Sequence, residues 1–517
     1  MCEQRRLTFA DVDRRATRLA HHLAARGIGA GDHIALYLYN GTEYLEAMLA
    51  AFKLRAVPVN VNYRYGADEL RYLLTDADAR AIVYHGELGA RLAPLRSEIS
   101  ELETFVRVDD GTPVGAAEEA LDAVDYDDAL TASSETRDFD PRSADDLYVL
   151  YTGGTTGMPK GVMWRHEDVF FGALGGGGGG GAPISRPTEL AARARDGRGL
   201  RCLPACPFMH GTAHWMALGA LLTGGTVIVS PDRRLDPARL WRLVAREQVQ
   251  LVVIVGDAFA RPLVEALDRP ELAGIDLSKC SVILSGGAIL SPAVKTALAE
   301  KLPGSVVVDG YGASETGGQG QSVTVAGAEP SPTPRFTVNE QTTVLDDALA
   351  PAAVGVVGRL ARRGHIPFGY YKDPEKTAET FPVVDGVRWS VPGDHARIEA
   401  DGTITLLGRG SVSINTGGEK VYPEEVEAAL KSHAEVFDAI VVGVPDDRWG
   451  EQVVAVVQAR PGHTPTVSDL GGHVRTRLAD YKAPRAVVLV ETVERSPSGK
   501  PDYRWARATA VAHLAPT

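Results

Sequence analysis

Residues 147–164, LYVLYTGGTTGMPKGVMW, run from an apolar stretch into a loop of glycines and threonines closed by one lysine. Glycines let the backbone approach a ligand and turn its N–H groups inward, while hydroxyls and an ammonium add donors for phosphate oxygens. Thr152, Gly153, Gly154, Thr155, Thr156, Gly157 and Lys160 therefore read as a phosphate cradle. The common P-loop, G-x-x-x-x-G-K-[ST], is not met, because Met158 and Pro159 precede Lys160. A second constellation is His210 and His214 in PACPFMHGTAHWM, 204–216, whose spacing on a helix would let both bind one metal. The residues between them are not those of H-E-x-x-H and Gly211 weakens a helix, so pocket lining is the preferred reading. Cys202 and Cys206 flank Pro204 without a second pair and read as buried thiols. ERSPSGKPDY, 494–503, sets Lys500 in a turn of Pro, Ser and Gly. The run of glycines at 175–181 matches G-x-G-x-x-G trivially, but no strand and helix frame it, so it reads as a flexible surface loop.

The elements that must carry these residues alternate. Thr8 can cap a helix with Leu19 and Leu23 on its apolar stripe, ended by Gly27 and Gly29 before a strand at 33–39. A helix at 44–56, a strand at 57–61, a helix around Leu70 to Leu74 and a strand at 80–85 follow. The pattern returns with strands at 225–231, 250–255 and 281–285 and a helix at 236–247. Short β-branched runs separated by helices predict parallel sheets covered by helices. Beyond about residue 390 the texture changes to hairpin-like pieces such as 395–410, where Asp401-Gly402 sits between alternating apolar positions. A helix begun just after Pro423, strands at 437–445 and 451–459 and a final helix before 481–491 make a smaller α+β unit. Pro423 suits a first helical turn and Glu424 and Glu425 its positive dipole end, so these glutamates have a structural explanation.

The chain has 517 residues, 44% hydrophobic and 23% charged, which excludes a mainly disordered or fibrous protein. Its net charge of −13 argues against a nucleic-acid partner held by phosphate attraction. Four scattered cysteines make no disulfide framework and suggest reduced thiols in a cytoplasm. The N-terminal residues are charged and helical, unlike a secretory signal, and no apolar run is long enough for a membrane span.

The loop YTGGTTGMPKG resembles the signature of the adenylate-forming superfamily, which comprises acyl-CoA synthetases, luciferases and peptide-synthetase adenylation domains. Further motifs of that family follow in order over essentially the whole chain, most like those of bacterial fatty-acyl and steroid side-chain CoA ligases. The resemblance implies ATP, Mg²⁺ and coenzyme A. DGYGASETGG, 309–318, is similar to the family's Tyr-Gly-x-Ser/Thr-Glu segment, and Asp309, Gly310, Tyr311, Gly312 and Ser314 fall in it. By that resemblance Tyr311 stacks on adenine and Glu315 holds Mg²⁺, a hard cation that prefers carboxylate and phosphate oxygens. SGGA, with Gly286, Gly287 and Ala288, would line the boundary of the acyl and adenine pockets. Asp394 matches the ribose-binding carboxylate and Arg409 the arginine at the domain junction. Lys500 matches the lysine that bridges the acid's carboxylate and the α-phosphate, and His210 belongs to a gate at the acyl site. Gly417, Gly418 and Glu419 match a segment that swings in to shape a pantetheine tunnel. Two departures stand out: Ser411 where the family's hinge often has Asp or Lys, and Gly153-Gly154 in place of a commoner Ser-Gly.

The expected architecture is a large α/β N-terminal domain of helix-covered sheets that binds ATP and acid, residues 1–408, and a small mobile α+β lid, residues 409–517. The expected reaction is ATP-dependent activation of a carboxylic acid as an acyl-adenylate, followed by transfer to coenzyme A. A nitrite-activating diazotase acting on an aryl amine would use the same ATP motifs. A non-catalytic binding protein would need no Lys500. The acid itself, and oligomeric state with a homodimer among the options, are not legible; Trp215, Met216 and 255–261 are candidate linings.

Overall fold

The computed structural model describes residues 1–2, 5–152, 158–178, 181–197, 199–288, 290–328, 335–416, 419–446, 448–496 and 499–514, without the side chains of Arg409 and Ser411. Helix Phe9–Ala25 begins as its sequence predicts: the Thr8 hydroxyl accepts the Asp11 N–H at 3.1 Å, and the Asp11 carboxylate accepts the Thr8 N–H at 2.9 Å. Its apolar stripe, Ala16, Leu19, Ala20 and Leu23, is buried, and the chain turns away at Gly27.

Two large sheets follow from the alternating segments. In the first, eight strands lie in the order Gly369–Tyr370, Lys160–Arg165, Leu147–Thr152, Val57–Asn60, His33–Tyr37, Ala79–His85, Thr104–Val108 and Val124–Asp125. The six from Leu147–Thr152 onward are parallel, and the first two are antiparallel additions. In the second sheet, Thr226–Val227, Arg201–Pro204, Leu251–Ile254, Val282–Gly286 and Val306–Ala313 form a parallel half. An antiparallel half continues it through Gly317–Thr324, Arg335–Val338, Ile404–Arg409, Asp394–Ile398, Val357–Arg362 and Thr342–Leu345. One core, including Leu36, Met48, Trp164, Phe208 and Val253, packs between the two sheets. Helices cover the far face of each.

The last part of the chain is a separate five-stranded unit. Ile414–Thr416 and Glu419–Val421 form a hairpin beside Gly450–Ala459 and Val436–Asp446, and Ala486–Val490 joins in parallel. Helices Pro423–Lys431 and Val467–Arg475 pack on one face and Tyr503–Leu514 on the other. Pro423 opens its helix, and Asp401-Gly402 turns the chain between Asp394–Ile398 and Ile404–Arg409, with Gly402 at φ +80°.

Two expectations need correction. The strand expected over 225–231 is only Thr226–Val227 plus a bridge from Cys2 to Val229, because it lies at the edge of the sheet. The glycine run is not a free surface loop where it is described: Gly175–Gly177 form a tight turn with Gly176 and Gly177 buried. A Cβ on Gly176 would lie 2.7 Å from Pro183 Cβ, and its φ is +57°. Gly175, at φ +73°, has open space around it. Gly176→Ala should therefore lower stability by about 1–3 kcal/mol or more, combining left-handed strain with a clash, and Gly175→Ala by the strain alone. Urea unfolding midpoints check this, and equal effects at the two positions would sink the packing argument.

Candidate active site

Strands of the parallel halves end around a cavity of about 580 Å³. This is where parallel sheets place ligands, because loops leave the carboxyl ends of neighbouring strands together. Thr152 ends one strand, Gly286 ends another with Gly287 after it, and Gly310, Tyr311 and Gly312 lie in a third with Ser314 just beyond. His210 and Trp215 enter from the start of helix Gly211–Leu222, and Lys500 enters from the small C-terminal unit. A Cβ on Gly312 would lie 2.3 Å from the Gly317 carbonyl oxygen, so the tight pairing of Val306–Ala313 with Gly317–Thr324 excludes any side chain there. Leu150, Met216, Leu284 and Val308 make part of the wall apolar, as does Val255, the one cavity-lining member of the 255–261 run.

Hydrogen bonds tie Lys500 and Gly499 to Ser496. The Ser496 N–H donates to the Lys500 carbonyl at 2.8 Å, the Gly499 N–H to the Ser496 carbonyl at 2.8 Å, and the Lys500 N–H to Ser496 Oγ at 3.1 Å. Arg495 anchors this stretch with two 2.7 Å bonds to Asp438 and one of 3.1 Å to the Gly499 carbonyl. That bidentate pair holds the Arg495 guanidinium well above its ordinary range and Asp438 below the usual carboxylate range, although burial opposes both.

His210 caps helix Gly211–Leu222 instead of lying within it, and its Nε2 is buried without a hydrogen-bond partner. Burial, then the positive charge of Lys500, pushes it down to about 3, so the imidazole is neutral at physiological pH. His214 lies deeper: its Nδ1 meets the Phe208 carbonyl at 2.6 Å, its Nε2 meets Tyr148 Oη, and burial pushes it down to about 4. The metal reading of this pair has no support, since no group of three His, Cys, Asp or Glu able to hold a metal occurs among the described residues. Cys202 and Cys206 are buried, and burial pushes both thiols up to about 12.

A second cluster lies outside the cavity wall. Tyr370 Oη donates to Glu315 Oε1 at 3.0 Å, Ser390 Oγ donates to the Glu315 carbonyl at 2.6 Å, and the Tyr370 ring lies 5.8 Å from Lys160 Nζ. Lys160 pairs with Asp373, whose carboxyl it holds below the usual range. Thr152 and Lys160 face each other across the strands that flank the threonine loop. Gly153, Gly154, Thr155, Thr156 and Gly157 of that loop lie outside the described residues, as do Gly417, Gly418 and the Arg409 side chain.

The remaining expected residues are not on the cavity wall. Asp394 is buried at the start of its strand, in register with Arg409. Ala288 is half-buried against the core between the sheets. Glu419 is exposed on its hairpin. Asp309 is likewise off the cavity wall: it is buried, and its carboxylate pairs with Lys295 at 2.6 Å.

Sequence reasoning missed three residues. Asn60 donates to the Tyr151 and Met209 carbonyls at 2.9 and 2.8 Å, tying the strand before the threonine loop to the segment before His210. Arg362 Nη1 reaches the carbonyls of Gly172 at 3.0 Å, of Thr316 and of Gly318 at 2.6 Å, gathering the turn that carries Glu315. Burial pushes this guanidinium down to about 10. Tyr370, in GYYK, had no motif to signal it, and neither did Arg362.

Comparison with known proteins agrees with this geometry. The AMP-binding enzyme family matches residues 1–371, and the AMP-binding enzyme C-terminal domain matches residues 425–500. The chain is 46% identical over 97% of its length to 3-oxocholest-4-en-26-oate–CoA ligase of Rhodococcus rhodochrous, covering 91% of that protein. It is 45% identical, over 100% of its length and 93% of the relative, to a medium/long-chain-fatty-acid–CoA/3-oxocholest-4-en-26-oate–CoA ligase of Mycobacterium tuberculosis. Among solved structures, ATP-bound MatB from Rhodopseudomonas palustris superposes with a TM-score of 0.80 at 26% identity, over 97% of this chain and 93% of that one. An anthranilate–CoA ligase in complex with anthranoyl-AMP shares the fold at a TM-score of 0.82 and 22% identity, over 99% and 94% of the two chains. A large domain with strand ends around a cavity, a small unit that places Lys500 in it, and near-complete coverage by these relatives show that the chain belongs to the AMP-binding enzyme family, as an AMP-forming ligase of the acyl-CoA synthetase type.

Proposed function

We propose that the protein joins an apolar carboxylic acid of the medium- or long-chain acyl or steroid side-chain class to coenzyme A, through an acyl-adenylate. The observation that carries this reading is the entry of Lys500 into the same cavity as His210 and the glycine-rich strand end Gly310–Ser314. A carboxylate oxygen attacks the α-phosphorus of ATP and pyrophosphate leaves. Two anions must approach, and the Lys500 ammonium lowers the charge that accumulates between them. Neutral His210 stands beside it and adds no second charge. The apolar wall of Leu150, Trp215, Met216, Leu284 and Val308 suits a hydrocarbon acid, and the ligase names of the relatives agree with that class.

Gly310, Tyr311 and Gly312 would hold the adenine, Asp394 and Arg409 the ribose, and the 152–160 loop with Lys160 the phosphates. Glu315 fits Mg²⁺ in the manner usual for ATP enzymes, one carboxylate beside substrate phosphates, because Tyr370 engages one of its oxygens and no all-protein cage occurs among the described residues. The ion would neutralise phosphate charge there. In the second step the thiolate of coenzyme A attacks the acyl carbon and AMP leaves. Residues 1–408 act as the body and 409–517 as a lid that swings between the steps, bringing Glu419 with Gly417 and Gly418 toward the cavity as Lys500 withdraws. Glu419 stands exposed while Lys500 lines the cavity, which supports such an exchange.

Lys500→Ala should lower ATP–pyrophosphate exchange by about a hundredfold or more, while thioester formation from supplied acyl-adenylate stays within a few-fold of the parent. Equal losses in both assays would remove Lys500 from the first step. A screen of fatty acids, a steroid acid with its carboxyl at side-chain position 26 and nitrite, with and without coenzyme A, should give acid-dependent pyrophosphate and AMP plus a thioester. Pyrophosphate release with nitrite and no thioester from any acid would replace this reading by the diazotase.

A further inference from the structure

The lid meets the large domain over a cluster of buried charges centred on Asp257. Asp257, in the first turn of helix Gly256–Ala266, is 6% exposed, and its Oδ1 accepts the Ser291 N–H at 2.7 Å. Its Oδ2 accepts no hydrogen bond and is balanced by Lys431 Nζ of the lid at 3.3 Å and by Arg261 Nη2 of its own helix at 3.8 Å. Lys431 ends helix Pro423–Lys431 with its side chain 2% exposed. Glu427, one turn earlier, is wholly buried, and its Oε1 accepts the Val441 N–H at 3.0 Å. The Arg261 guanidinium also lies 5.5 Å from the ring of Phe437 in the lid.

The same helix start receives the Lys500 turn. A Cβ on Gly499 would lie 3.3 Å from both the Val255 carbonyl oxygen and Ala258 Cβ, so this turn rests directly on residues flanking Asp257. Seating Lys500 in the cavity and pairing Lys431 with Asp257 are therefore one docking event. A rotation that withdrew the turn would part this pair.

We infer that Asp257 and Lys431 are positioning residues for adenylate formation: a two-charge latch closed only while Lys500 occupies the cavity. This rests on the two-step reading above. A buried ion pair suits a contact made and broken in every cycle, because each ion regains its hydration on parting and the net difference stays small. Removing either partner leaves the other less well compensated in the closed state, Asp257 with Arg261 at 3.8 Å and Lys431 with the charge of Glu427, and disfavours closure. Removing both charges relieves it.

The test is a double-variant cycle with Asp257→Asn, Lys431→Met and the pair combined. Each single variant should lower ATP–pyrophosphate exchange at least tenfold and change thioester formation from supplied acyl-adenylate less than threefold, and the combined variant should recover most of the exchange rate. Spin labels at Glu271→Cys and Thr464→Cys, both exposed in the parent, report lid position with ATP bound. The closed-state distance should be depleted in each single variant and restored in the combination. Equal loss in both half-reactions, no loss in either, or a combined variant no better than the singles would overturn the latch. Absence of exchange with every acid in the unmodified protein would remove the two-step reading instead, and the label distances alone would then decide, with an unchanged distribution in Asp257→Asn overturning the latch.

Discussion

The Arg495–Asp438 pair is the contact on which the C-terminal part of the site depends. A lysine at the end of a turn can deliver charge to a defined point only if the turn itself does not flex. Here a guanidinium fork is bound twice by a carboxylate of the neighbouring strand and spends a third donor on the carbonyl just before Lys500. Arginine suits this use because its donors are fixed in one plane and its charge persists on burial. The same strand, Val436–Asp446, is paired along its length with Gly450–Ala459, so the turn is tied to the most extensively paired strands of the small unit.

The large domain solves the complementary problem with strand ends. Val282–Gly286 and Val306–Ala313 lie side by side in parallel, so the glycines after one meet those in the other at a common edge. Backbone faces the cavity there with few side chains in the way. Trp215 and Met216 of helix Gly211–Leu222 add larger apolar groups to Leu284 and Val308 of these strands, so one cavity has bare backbone and a hydrocarbon wall.

The alternation of strands and helices was readable in the sequence because it rests on local periodicity, and the helix from Pro423 and the turn at Asp401-Gly402 because each residue type dictates its own backbone. The Lys500 turn was readable as a turn for the same reason. What was not readable depends on partners remote in sequence. Arg362 reaches Gly172, 190 residues away, and Lys160 reaches Asp373, 213 residues away. Lys431 and Asp257 look like ordinary surface charges until the C-terminal unit is packed on the large domain. Asp309 sits inside a motif, yet its carboxylate is paired with Lys295 in a buried contact that the motif does not signal. The glycines of 175–177 were read by composition as a loop, but packing of Gly176 against Phe171 and Pro183 and of Gly177 against Leu190 leaves no room for a larger residue at those two positions.

Arg362 has one more implication. Its guanidinium ties the backbone at Gly172, beside cavity-lining Ala173, to the turn that carries Glu315. Enlarging the hydrocarbon wall at that point would tug on the carboxylate across the same hub. A change in the wall at Ala173 is thereby mechanically coupled to the turn of Glu315, and change at one would have to travel with compensation at the other.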